Sequence, residues 1–182
     1  TPPAKLVVRG EIFIEKDDFV ELNLRKIKAG EKEYQNARNT AAGSLRQLDS
    51  SKAAKIPLKI FVYTLLQGHP DETLTQFESL ELLKKYGFLI PKEISYCENI
   101  EEAVDACEKW IDKRKDIPYD IDGAVVKIDN ISLYDGLGIV GKDPRGAIAF
   151  KFPAQEVSTL LENIGFKVGR TGVITPYADL KP

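Results

Sequence analysis

The chain has 182 residues, 43% hydrophobic and 30% charged, an ordinary composition for a globular domain able to bury one good core. Its 26 Lys and Arg against 28 Asp and Glu leave a net charge of -2, so bulk charge signals no nucleic-acid partner, and any such site must be a local basic cluster. Two cysteines, Cys97 and Cys107, supply neither a disulfide framework nor a tetrahedral zinc site within the chain, and no apolar run approaches a membrane span or signal peptide. A cytoplasmic protein without a membrane partner is the expectation. The chain opens directly on a strand without Met and stops at Lys181-Pro182 in what reads as sheet, so a fragment of something larger is expected.

In chain order, Leu6–Ile14 reads as a strand. Asp17 or Asp18 is the expected cap of an amphipathic helix with Phe19, Leu22 and Ile27 on its apolar side. Residues 36–48 hold a small-residue run between Arg38 and Arg46. Leu58–Leu66 reads as an apolar strand ending in the loop Gln67–Asp71, where His69 is assigned no role. A helix is expected from Leu74 to Tyr86, stopped by Gly87, and a second from Ile100 to Arg114, with Asn99 as N-cap and Glu102 completing a capping-box variant. Trp110, Phe77 and Leu83 fall at core spacings. Asp120–Ile128 and Ala149–Phe152 read as strands, followed by short strands over Thr159–Val168 and Gly172–Ala178. The fold class expected is α+β with antiparallel sheets, and a second, all-β unit begins near residue 154.

The two strands around Lys127 and Lys151 carry the most information. A lysine within an apolar strand loses entropy and hydration unless an anion receives it. Two such lysines suggest ammonium groups aimed at one phosphate, in a cleft shared with Glu11; the alternative is a pair of edge-strand lysines that discourage aggregation. Glu11 follows Arg9-Gly10, where glycine permits close approach by a ligand, so its carboxylate could accept a ribose hydroxyl or hold a metal, or simply face solvent. Arg38 and Arg46 fall about 80° apart on a helix and could reach a phosphate ester, or flank a helix packed through its small residues. Asp122-Gly123 could bind a divalent metal, orient Lys127, or form a plain turn.

Taken together, these segments resemble the NAD-dependent bacterial DNA ligases, a branch of the covalent nucleotidyltransferases. The resemblance rests on Val8-Arg9-Gly10-Glu11-Ile12-Phe13, on residues 37–49, and on Asp120-Ile121-Asp122-Gly123-Ala124-Val125-Val126-Lys127. It continues through Ala149-Phe150-Lys151-Phe152-Pro153-Ala154 and Val168-Gly169-Arg170-Thr171-Gly172-Val173-Ile174-Thr175-Pro176, and so covers essentially the whole chain. It implies that residues 1–153 are the C-terminal two-thirds of an ATP-grasp-like adenylation (nucleotidyltransferase) domain and that 154–182 begin an OB-fold domain. In that family a lysine of a Lys-x-Asp-Gly motif takes AMP from NAD, with Mg2+ or Mn2+, and passes it to the 5′-phosphate of nicked duplex DNA, where the 3′-hydroxyl displaces it. The family's zinc site lies outside this chain, and a monomer is expected.

By the same resemblance Glu11 holds the adenosine ribose, and Lys127 and Lys151 neutralise charge on the phosphate. Arg38, Arg46 and Arg114 act on phosphates of the nick or nucleotide, and Asp122 is the carboxylate of the strand motif. The chain departs from the family in having no Lys-x-Asp-Gly, with Asp120 and Asn130 spoiling the two near matches. Ala37 stands where a proline is usual, and Gly146 where a tryptophan is usual. The chain alone is therefore expected to be inactive, with a non-catalytic nucleotide- or nucleic-acid-binding remnant as the alternative reading.

Overall fold

The computed structural model describes residues 2–68, 70, 75–154 and 158–181; His69 and the expected helix start at Leu74 lie outside them. The elements in chain order are β1 (Val7–Phe13), α1 (Lys16–Lys28), α2 (Ala37–Leu45), α3 (Ser50–Ala53), β2 (Lys59–Gln67), α4 (Gln76–Lys85) and α5 (Ile100–Lys113). They continue with β3 (Gly123–Lys127), α6 (Ile131–Gly136), β4 (Ile139–Val140), β5 (Asp143–Pro144), β6 (Ala147–Lys151), β7 (Leu161–Val168) and β8 (Ile174–Leu180). Helices and strands are mixed and every strand pair is antiparallel, an α+β arrangement. The chain divides into two compact units, Thr1–Phe152 and Pro153–Pro182.

In the larger unit, β1 and β2 form a two-stranded sheet whose register slips between Arg9 and Gly10. Thr64 pairs with Arg9 and Val62 with Gly10, so Tyr63 is left over as a β-bulge. Gly10 is required by β2 and not by a ligand: a Cβ there would lie 2.4 Å from the Phe61 carbonyl oxygen. Val62 and Leu65 turn into a core with Leu83 of α4, beside Val8, Phe88 and Ile90. A second core gathers Ile14, Leu22 of α1, Ala41 of α2 and Ile56. The small residues of α2 serve this packing, since Thr40, Ala41 and Ser44 are all buried.

Capping differs from the expectation in two places. The N-cap of α1 is Glu15 without a side-chain cap, while Asp17 and Asp18 lie inside the first turn, where carboxylates suit the helix dipole. At α4, Thr75 and Glu78 form a full capping box, with the N-cap one residue into the segment read as helix from Leu74. At α5, Asn99 caps as expected and the Glu102 carboxylate answers it, accepting from Asn99 Nδ2 and from Glu98 N instead of from the Asn99 backbone N–H. Side-chain burial also departs. Leu83 is fully buried, yet Phe77 is 42% exposed, edge-on to Tyr96, and Ile27 is 49% exposed, because each lies on the rim of its helix's apolar stripe.

The strands β3 and β6 pair over five residues, and α6 with the β4–β5 hairpin connects them. Gly146, just before β6, has the Tyr134 ring of α6 against it; a Cβ would sit 2.5 Å from Tyr134 Cδ2. An aromatic side chain from α6 thus fills space beside the position where the resembling family has tryptophan. The smaller unit is the β7–β8 hairpin, whose apolar face carries Ile164, Phe166, Val168 and Ile174, all more than half exposed.

Candidate nucleotide-phosphate site

The register of β3 on β6 sets the site. Lys127 lies opposite Ala147, Val125 opposite Ala149, and Gly123 opposite Lys151. Cross-strand partners share a face, so Lys127 and Lys151 rise from the same side of the sheet, four residues apart along it, about 13 Å at strand rise. Val125 between them is 61% exposed, so this face is open. The other face is covered differently: Val126 and Phe150 border an apolar hollow with Ile100, Ala103, Val104 and Cys107 of α5. With hardly any polar lining, that hollow suits packing and not a charged ligand.

At the Lys151 end, one carboxylate collects two cations. Asp122 Oδ2 accepts from Arg38 Nη1 at 2.7 Å and from Lys151 Nζ at 3.1 Å. Arg38 Nη2 reaches Glu11 Oε1 at 3.5 Å. Four side chains from β1, α2, the entry to β3 and the end of β6 thus converge, although Arg38 and Asp122 are 84 residues apart in sequence. All four side chains are more than half exposed, so each ion pair adds no more than about 1 kcal/mol and the cluster serves geometry more than stability. The Arg38 guanidinium, then the Lys151 ammonium, hold the Asp122 carboxyl below the usual aspartate value. Asp122 in turn raises Arg38. Asp122 therefore orients Lys151, where the sequence had offered Lys127 as its partner. Gly123 is needed beside it, because a Cβ would lie 2.4 Å from the Phe150 carbonyl oxygen; Asp122-Gly123 starts a strand and is not a hairpin turn.

Lys127 rests elsewhere. Its Nζ donates to the Tyr63 carbonyl at 3.3 Å and to Thr64 Oγ1 at 3.2 Å, and it lies 4.9 Å from the centroid of the Tyr63 ring. Burial, then the positive charge of Arg9, lowers its pKa from the ordinary lysine value. Among the described residues no carboxylate bonds this ammonium, so its charge is oriented without being neutralised. The two lysines share a face, but their ammonium groups do not meet at one point: one stands on Asp122, the other on the β2 bulge.

Arg46 and Arg114 stand at helix ends. Arg46 is the C-cap of α2, about 12 Å of helix rise from Arg38, and is exposed. Arg114 caps α5 with its guanidinium 5.8 Å from the centroid of the Phe152 ring, one residue beyond Lys151. Tyr63 and Thr64 escaped the sequence reading, since nothing in Ile60-Phe61-Val62-Tyr63-Thr64 announces a bulge. Phe61, opposite Glu11, also escaped it; its ring stacks on Phe13 at 4.2 Å, with Tyr119 edge-on at 5.0 Å.

The family model for the NAD-dependent DNA ligase adenylation domain matches residues 1–155. The chain belongs to that family. A DNA ligase of Halalkalibacterium halodurans is 50% identical over 177 residues, 97% of this chain and 26% of that protein. DNA ligases of Shouchella clausii and Halothermothrix orenii are 47% and 45% identical, covering 99% and 96% of this chain and 27% and 26% of their own lengths. The chain thus spans about a quarter of the length of the curated relatives it matches. Within this chain, the cluster of Glu11, Arg38, Asp122 and Lys151 stands at the Lys151 end of the open face and the separately held Lys127 at the other. No helix of the described residues is long and apolar enough to cross a membrane.

Proposed function

We propose that this chain is the part of an NAD-dependent DNA ligase that holds the adenylate phosphate during nick sealing, with nicked duplex DNA and NAD as substrates. One observation carries the reading: a family member presents an open strand face with Lys127 at one end and Lys151, steadied by Asp122, at the other. Two fixed ammonium groups flanking an exposed strip suit a group whose charge grows during phosphoryl-type transfer. Glu11, exposed at the edge of the same cluster, would accept ribose hydroxyls. Arg38 would meet phosphate from the α2 side, whereas Arg46 and Arg114 would act on DNA phosphates.

The residues fit NAD as the AMP donor, since the groups lining the face are cationic or ribose-accepting. They do not assemble a protein cage for Mg2+ or Mn2+: among the described residues no three His, Cys, Asp or Glu converge on a cation site, and Asp122 is engaged by two cations. The nucleophilic Lys-x-Asp-Gly is absent from the 182 residues, so no lysine-AMP adduct is expected on this chain alone. For the Pro153–Pro182 unit we propose the first strands of an OB-fold. A two-stranded hairpin is marginal by itself, and its open apolar face calls for further strands.

The test is to graft this chain in place of the matching segment of the Halalkalibacterium halodurans ligase, then assay self-adenylation and nick sealing separately. Lys127→Ala and Lys151→Ala should each slow adenylation roughly a hundredfold, about 3 kcal/mol of transition-state stabilisation. Arg46→Ala should impair sealing more than adenylation. Adenylation unaffected by both lysine variants would refute the proposal.

A further inference from the structure

We propose that the β2 bulge at Tyr63–Thr64 is a cradle that holds the Lys127 ammonium on neutral oxygens until a phosphate takes it over, which makes Thr64 a positioning residue. This deepens the reading above and rests on it for the identity of the incoming group.

The bulge makes the cradle possible. Tyr63 has no partner in the β1–β2 register, and its carbonyl accepts both Lys127 Nζ at 3.3 Å and Gln76 Nε2 at 2.9 Å. Gln76 opens α4, whose first turn is tied to the end of β3: Gln76 N and Phe77 N donate to the Asp129 carbonyl and carboxylate. The carbonyl is thereby fixed from the helix side, and the strand carrying Lys127 is fixed from the same helix. Thr64 Oγ1 supplies the second acceptor at 3.2 Å.

The contrast with Lys151 gives the cradle its purpose. Lys151 stands on a carboxylate, so a phosphate must compete with a full negative charge for it. Lys127 stands on two uncharged oxygens, which a phosphate oxygen outcompetes through charge assistance. The charged group acting on Lys127 from the neighbouring strand is Arg9, which repels it and adds to the pull of an incoming anion.

Thr64→Val keeps the shape and removes the acceptor, while Thr64→Ser restores it. Lysine side-chain NMR on the 182-residue chain, with Lys127 assigned through Lys127→Arg, reads its titration directly, and AMP serves as the phosphate probe. Thr64→Val should lower the Lys127 pKa by about one pH unit, because an acceptor favouring the charged form is lost. It should also tighten AMP binding several-fold, because a contact that phosphate must displace is gone, and Thr64→Ser should return both values to those of the parent. An unmoved Lys127 titration in Thr64→Val would overturn the cradle, as would a Thr64→Ser variant that behaves like valine. If AMP binds no form of the chain, the nucleotide reading fails, and the titration alone then decides whether Thr64 positions Lys127.

Discussion

Gly123→Ala should be among the most damaging small substitutions in the chain. The added Cβ would lie 2.4 Å from the Phe150 carbonyl oxygen and 3.2 Å from Lys151 Cα, both on the paired strand. Backbone cannot swing aside as a side chain can, so β3 and β6 must part at that pair. Overpacking of this kind costs about 1–3 kcal/mol, and a ladder hydrogen bond adds about 1 kcal/mol, giving roughly 2–4 kcal/mol together. At 2–4 °C per kcal/mol for a domain of this size, the melting temperature should fall by about 5–15 °C. The same parting moves Lys151 from Asp122, since Asp122 directly precedes Gly123 and Lys151 lies directly across from it. Thermal unfolding followed by circular dichroism measures the loss, and the lysine side-chain spectrum reports whether Lys151 has left its carboxylate. Gly136→Ala, at the end of α6 with open space around the position, is the control and should be near neutral. If Gly123→Ala melted within about 2 °C of the parent, the steric reasoning would be refuted, because the calculated loss is at least twice that.

Three further substitutions follow from the same geometry. Ala37→Pro should raise stability by about 0.4–1 kcal/mol in urea melts, because Ala37 is the first residue of α2 and Asn36 before it is already extended. Gly146→Ala should cost about 1–3 kcal/mol through the Tyr134 ring, and Tyr134→Ala should recover part of that in the double variant, a coupling that a thermodynamic cycle reads. Lys127 has a pKa below the unfolded-chain value, so the folded state binds this proton more weakly, and the stability it withholds at neutral pH returns as pH rises from the folded value towards about 10.4. Lys127→Met should therefore be more stable than the parent at pH 7 by about 1 kcal/mol, with the gain shrinking toward pH 10 in urea midpoints.

The strands were legible because their signal is local. Small and β-branched residues alternating around Lys127 and Lys151 specify strands whatever lies nearby, and the register then puts both lysines on one face. What holds those lysines was not legible. The Asp122 carboxylate finds Arg38 across 84 residues, and Lys127 finds Thr64 across 63, through pairings no local window contains. The bulge that frees the Tyr63 carbonyl exists only because β1 and β2 slip by one residue, a property of the pair and of neither strand alone. Glycine roles were misread for a related reason. Gly10 suggested close approach by a ligand and Asp122-Gly123 a metal site or a turn, but only the fold reveals that at both glycines the close group is a carbonyl of the paired strand.

The most direct test of the site is a titration of AMP into the 182-residue chain while the Lys127 and Lys151 side-chain resonances are followed, with adenosine as the phosphate-free comparison. The account predicts that AMP moves both resonances saturably with one shared dissociation constant, and that adenosine moves neither to a comparable extent. Movement of one lysine without the other, or equal responses to AMP and adenosine, would contradict a phosphate site spanning the open face of β3 and β6.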